Sequence, residues 1–164
     1  MKKLKKSAVV LCAVFASMQI TMAGQFDGVD VGLGKDFGGS QINHATDGLV
    51  GITGNGTGNV GLDFNSNTHI NWDNLNVGRG ESLNFNAVDG ANNLTILNTV
   101  NKGMTNVYGS INANSGIGQL IIANPNGVLF DGASFTTAGD AMITTKDLTG
   151  VKAEDLAKFD IKNV

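Results

Sequence analysis

The sequence predicts an all-β chain made of many short strands, and three observations point there. Gly occurs 23 times and Asn recurs throughout, and both tolerate left-handed backbone, so tight turns are expected along the whole chain. Apolar residues alternate with polar ones, as in Leu83-Asn84-Phe85-Asn86-Ala87, which is the period of a half-buried strand. Runs of strong helix formers are scarce, while 41% of residues are hydrophobic and only 15% charged, enough apolar surface for a real core.

The first 23 residues differ in kind. Four Lys (Lys2, Lys3, Lys5, Lys6) precede the apolar run Ala8-Val9-Val10-Leu11-Cys12-Ala13-Val14-Phe15, and the stretch ends in Thr21-Met22-Ala23. A basic head, a short apolar middle and small residues at the end make a signal peptide, with cleavage expected after Ala23. The apolar run is shorter than the roughly 20 residues of a bilayer span, and Ser17, Gln19 and Thr21 interrupt its extension. No stable membrane span is therefore expected in the mature chain. Losing four of the 11 basic residues leaves 7 against 14 acidic ones, a balance that disfavours nucleic acid as a partner. Cys12, the sole cysteine, leaves with the leader, so the exported part must hold together without disulfides.

From residue 24 onward, strands are expected in order at 29–31, 49–52, 70–72, 75–77, 83–87, 93–97, 106–108, 110–113, 119–123, 128–130, 134–137 and 141–145. Each is a short apolar or alternating run bounded by Gly, Asn or Asp. Segments of three to five residues are too short for the arms of a regular hairpin fold and favour a solenoid, a parallel β-helix with stacked Asn at its corners. An antiparallel sandwich or barrel remains the alternative on these grounds. The stretch 148–159 reads as a short helix with Thr149 as N-cap and Leu156 and Phe159 on one face. The last residues carry no stop signal, and the domain is expected to be C-terminally incomplete.

The most specific string is Asn124-Pro125-Asn126-Gly127-Val128, after the apolar Leu120-Ile121-Ile122. Pro125 fixes φ at the first central position of a turn, Asn126 tolerates the second and Gly127 frees the exit, so a rigid corner between two buried strands is expected. Gly56-Thr57-Gly58-Asn59-Val60-Gly61 spells a dinucleotide-type glycine pattern, but Leu62-Asp63-Phe64-Asn65-Ser66-Asn67 after it is a poor helix, so no nucleotide is expected. One imperfect calcium-type turn at Gly61-Leu62-Asp63 and two isolated histidines, His44 and His69, imply no metal. A lyase or hydrolase needs basic residues or paired carboxylates. Arg79 is the only Arg, and the Asp residues sit mostly at turns beside Gly, so no catalytic residues, no cofactor and no enzyme are expected. Trp72, the only Trp, is expected in the core.

Residues 117–134 (IGQLIIANPNGVLFDGAS) resemble the NPNG motif region of the two-partner secretion family, the filamentous haemagglutinin and high-molecular-weight adhesin type of exported proteins. Upstream, HINWDNLNV at 69–77, with Ile70, Asn71, Trp72, Asn76 and Val77, together with Glu81-Ser82-Leu83-Asn84-Phe85, is similar to the family's second block. Asn98-Thr99-Val100 and Tyr108-Gly109-Ser110-Ile111-Asn112-Ala113 are similar to its third. Val128 stands where the motif has Ile, Leu75 where the block has an aromatic and Thr99 where it has Arg; a second common motif, NPNL, has no counterpart. The resemblance implies a right-handed parallel β-helix with an N-terminal cap. It also implies recognition in the periplasm by the POTRA domains of a TpsB-type outer-membrane barrel, passage through that barrel to the cell surface, and adhesion to host surfaces by repeats further along. A stand-alone exported binding or polysaccharide-active protein is the alternative reading.

Overall fold

The computed structural model describes residues 24–164, so the leader and the Ala23 cleavage point lie outside the described residues. Thirteen strands run in order: β1 (Gln41–Ala45), β2 (Leu49–Thr53), β3 (Asn59–Phe64), β4 (Thr68–Asn74), β5 (Asn76–Val77), β6 (Ser82–Ala87), β7 (Leu94–Val100), β8 (Thr105–Val107), β9 (Ser110–Ala113), β10 (Ile117–Ala123), β11 (Val128–Phe130), β12 (Ser134–Thr137) and β13 (Asp140–Thr144). They form three sheets, β1-β4-β7-β10-β13 (sheet A), β2-β3-β6-β9-β12 (sheet B) and β5-β8-β11 (sheet C). Successive strands therefore visit successive sheets. The triplets β4-β5-β6, β7-β8-β9 and β10-β11-β12 are coils, and each strand pairs in parallel with its counterpart one coil away. This is a parallel β-solenoid.

Coil length varies, which is why no strict repeat is visible in the sequence. Stacked partners lie from 21 positions apart (Leu120 to Ala141) to 30 (Asn76 to Asn106). At the N-terminal end the pattern changes: β1 runs antiparallel to β4, and β2 antiparallel to β3. These two strands occupy one edge of sheets A and B and form the cap. An open edge exposes a row of unpaired backbone groups, and antiparallel strands with bulges end the parallel stack there.

The inward positions stack like on like. In sheet B, Val60, Leu83, Ile111 and Phe135 lie in register, and Phe64 and Phe85 stack with ring centroids 6.0 Å apart. In sheet A, Thr68, Ile96 and Leu120 form one inward row. All but Phe135 in these two rows are buried, and each large apolar side chain fully covered contributes about 1.5–3 kcal/mol. A chain without a disulfide in its described part is held by this burial and by the ladder hydrogen bonds.

The expected short helix is present in altered form. Ala153–Lys158 is a 3-10 helix with Lys152, not Thr149, at its N-cap position. Thr149 is spent three residues earlier, donating its N–H and its Oγ1–H to Asp147 Oδ1 at 3.0 and 2.6 Å. Leu156 and Phe159 do share a face, which lies on the outside of sheet A against Leu97 and Ile121. Among the described residues no helix is long and apolar enough to cross a membrane.

The expected strand at 29–31 reduces to one bridge, Asp30 to Gln41. Two strands lie outside the expectations. β1 carries bulges that break its alternation, and β3 hides inside the glycine string, where Gly61 sits in the strand against Thr53 and Asn86. The dinucleotide-like pattern is thus a turn and the first half of a strand.

Candidate functional site: the asparagine corner and its ladders

The Asn124-Pro125-Asn126-Gly127 turn joins β10 to β11. Gly127 N–H donates to Asn124 C=O at 3.0 Å, closing the turn with Pro125 and Asn126 at its centre. Gly127 adopts φ of 109°, a conformation that a side chain would strain. The two asparagines play unlike parts. Asn124 is fully buried; its Nδ2 donates to Gly103 C=O (3.0 Å) and Thr105 Oγ1 (2.9 Å), and its Oδ1 accepts from Asn126 N–H (2.9 Å). It therefore ties the corner to the coil before it. Asn124 N–H also donates to Thr144 C=O at 3.0 Å, one coil further on. Pro125 and Asn126 are exposed.

Val128, which opens the second of the two strands expected to be buried, is only half-buried, and its neighbour Leu129 is exposed. The reason is position: β11 is an edge strand of sheet C, paired on one side with β8 alone. The corner stands between one buried strand and one half-covered strand.

The second block spreads over all three sheets, with Ile70, Asn71 and Trp72 in sheet A, Asn76 and Val77 in sheet C and Ser82, Leu83, Asn84 and Phe85 in sheet B. Ile70, Trp72 and Val77 are fully buried, and Trp72 Nε1–H donates to Asn98 Oδ1 at 3.0 Å inside the core. Asn98 Nδ2 in turn donates to Ile121 C=O at 3.0 Å, so one buried amide links β4, β7 and β10. Asn76 is buried beneath the loop at 34–40, donating to Phe37 C=O and Gly39 C=O and accepting from Asn106 N–H. Asn71 points the other way and joins an outer ladder.

Three such ladders climb the solenoid. Asn43 donates to Asn71 (2.8 Å), and Asn71 and Asn101 exchange amide bonds (3.0 and 2.6 Å). On sheet B, Asn112 donates to Asn84 and Asn84 to Asn59, each at 2.9 Å. On sheet C, Asn106 donates to Asn76 at 3.0 Å. A primary amide carries both donors and an acceptor, so stacked copies extend the backbone ladder by one side-chain bond per coil.

His69 stands on β4 between the ladders and the C-terminal segment. Its Nδ1–H faces Val151 C=O at 2.9 Å, and Nε2 meets Thr99 Oγ1 at 2.8 Å. Burial pushes its pKa below the ordinary imidazole value, with the Val151 carbonyl opposing. Asp27, by contrast, is exposed and held below the ordinary carboxylate range chiefly by the hydrogen bond to His44 Nδ1 at 3.0 Å.

Glu81 is a brace at the corner of sheets B and C, its Oε2 accepting from Gly34 N–H and Gly78 N–H at 2.7 and 2.6 Å. Beside it Arg79 lies over the Tyr108 ring, 5.1 Å from the centroid, and Tyr108 stacks on Phe37 at 4.6 Å. Thr105 and Gln119 hold structural bonds that no motif in the sequence marks. Asn98 belongs to the third block, and the signal for its buried role is an amide in the middle of an otherwise apolar strand, Leu94-Thr95-Ile96-Leu97-Asn98-Thr99-Val100.

No curated protein matches the chain. The TPS secretion domain family matches residues 35–164, about four-fifths of the chain, including both cap strands and every strand of the solenoid. The chain belongs to the family of TPS secretion domains.

Proposed function

We propose that this domain is the leading module of an adhesin or haemagglutinin-like protein, recognised by POTRA domains of a partner barrel in the periplasm and nucleating β-helix folding outside the cell. Family membership makes the chain a two-partner secretion substrate, exported with a TpsB-type transporter as its partner. The finer steps rest on physical chemistry. A chain with no cysteine after residue 12 has no cross-link to stop it threading a narrow barrel in extended form. Segments such as β6, polar on one face and apolar on the other, are suited to add to a sheet edge through backbone hydrogen bonds. Once outside, each finished coil offers its open strands to the next, so folding runs in one direction.

The observation that carries this reading is the split within the corner. Asn124 is consumed by the fold, whereas Pro125 and Asn126 present an exposed, rigid turn whose side chains the fold does not require for its own bonds. The role is binding and folding, not catalysis. Asn124→Ala and Asn126→Ala, each expressed with the partner barrel, test it by the amount of chain released. Both are expected to export less. Undiminished export of both would remove the corner from the recognition step.

A further inference from the structure

A second apolar cluster lies outside the solenoid. Residues 148–161 leave β13 and fold back across the outer face of sheet A, where Leu148, Val151, Leu156, Phe159 and Ile161 pack on Leu97, Ile121 and Met142. Leu156 is fully buried there. Polar contacts fix the register. Gln119 reads the backbone of the segment as a strand would: its Nε2 donates to Phe159 C=O at 2.7 Å, and its Oε1 accepts from Ile161 N–H at 3.0 Å. Gln119 Nε2 is itself held by Thr95 Oγ1 at 3.0 Å, and His69 donates to Val151 C=O from the other end.

The seat is assembled from four successive strands of one sheet: His69 on β4, Leu97 on β7, Gln119 and Ile121 on β10, and Met142 on β13. No single coil contains it. An apolar segment cannot gain this burial until all four strands have stacked in register, and once seated it resists the separation of any one of them.

We propose that residues 148–161 are a latch that closes only once β4, β7, β10 and β13 have stacked and couples their coils into one cooperative unit. For a chain folding as it emerges, closing the latch removes the partly folded states from which coils could unravel. The inference goes beyond the export reading and needs no transporter for its test, so either can fail while the other stands.

The full chain is compared with Leu156→Ser, which removes the buried anchor, and Gln119→Ala, which removes the clamp and leaves the apolar seat intact. Two rates are read: tryptic cleavage at Lys152 and Lys158, which reports latch opening, and amide exchange in β7, β10 and β13. The expected result is that both variants are cut about tenfold faster or more, with exchange in the three strands accelerated in the same order. Faster cleavage with wild-type exchange in β7, β10 and β13 would make the segment a passenger and overturn the proposal. Wild-type cleavage in Gln119→Ala would overturn it too, and that variant decides the matter should Leu156→Ser not fold.

Discussion

Asn98 and Asn124 show how few side chains carry the polar accounting of this core. Asn98→Ala strands the Trp72 indole N–H among apolar neighbours, and a buried donor without a partner costs about 1–3 kcal/mol; the Ile121 carbonyl loses a second donor but stays in the β7–β10 ladder. A loss of about 1–3 kcal/mol is expected, read from the urea midpoint by the fluorescence of Trp72, the chain's only Trp, with the slope unchanged. A change under about 0.5 kcal/mol would show that water reaches the indole N–H. Asn124→Ala is expected to cost about 2–3 kcal/mol, since Gly103, Thr105 and Asn126 each lose a bond to it. Asn126→Ala, at an exposed position that bonds to Asn124 through its backbone N–H, is expected within about 0.5 kcal/mol of the parent in the same titration. That contrast gives the export assay its meaning, because a defect in Asn126→Ala is then not a folding defect.

At the scale of elements, the tight corners set the limits. A Cβ on Gly109, between β8 and β9, would fall on the carbonyl oxygens of Glu81 and Gly78, backbone atoms that cannot step aside. Gly109→Ala is expected to destabilise by about 2 kcal/mol or more, visible as a lower thermal midpoint, whereas Gly150→Ala meets no neighbour within 4 Å and should leave it unchanged. Elements also differ in how legible they were in the sequence. Alternation in Leu83-Asn84-Phe85-Asn86-Ala87 maps onto β6 because both faces of that strand are simple, one core and one ladder. Short runs bounded by Asn or Gly located β8, β9, β11 and β12, since each corner needs such residues. Asn124-Pro125-Asn126-Gly127 announced its turn through Pro and Gly alone. β1 and β3 were not legible, the first because bulges break its period, the second because its glycine makes room for Thr53 instead of supplying a side chain. Leu97 and Ile121 looked like core residues and are core of another kind, facing outward under a segment that arrives from much later in the chain. Local pattern cannot reveal a partner of that sort.

For the whole molecule, His69 on one side and the carboxylates of Asp27 and Asp147 on the other tie stability to pH in separate windows. His69 has a folded-state pKa below its unfolded value near 6.5, so the unfolded chain binds the extra proton. Its contribution is complete above about 6.5 and is lost as pH falls below that. Asp27, also lowered, contributes above the ordinary carboxylate value and loses that contribution only as pH falls below about 4. The urea midpoint is therefore expected to decline between about pH 7 and 5, and His69→Gln is expected to flatten that part of the profile while leaving the acid limb in place. A profile unchanged by the substitution would mean that another group titrates there.

A parallel solenoid, stacked coil by coil, is here joined to a route out of the cell that depends on a second protein. That dependence is tested most directly by export of the full chain from cells that carry or lack the TpsB-type transporter, read as folded, protease-resistant chain outside the cell. The expected result is external chain only where the transporter is present, with unexported chain remaining inside when it is absent. Equal amounts outside in both cells would contradict it.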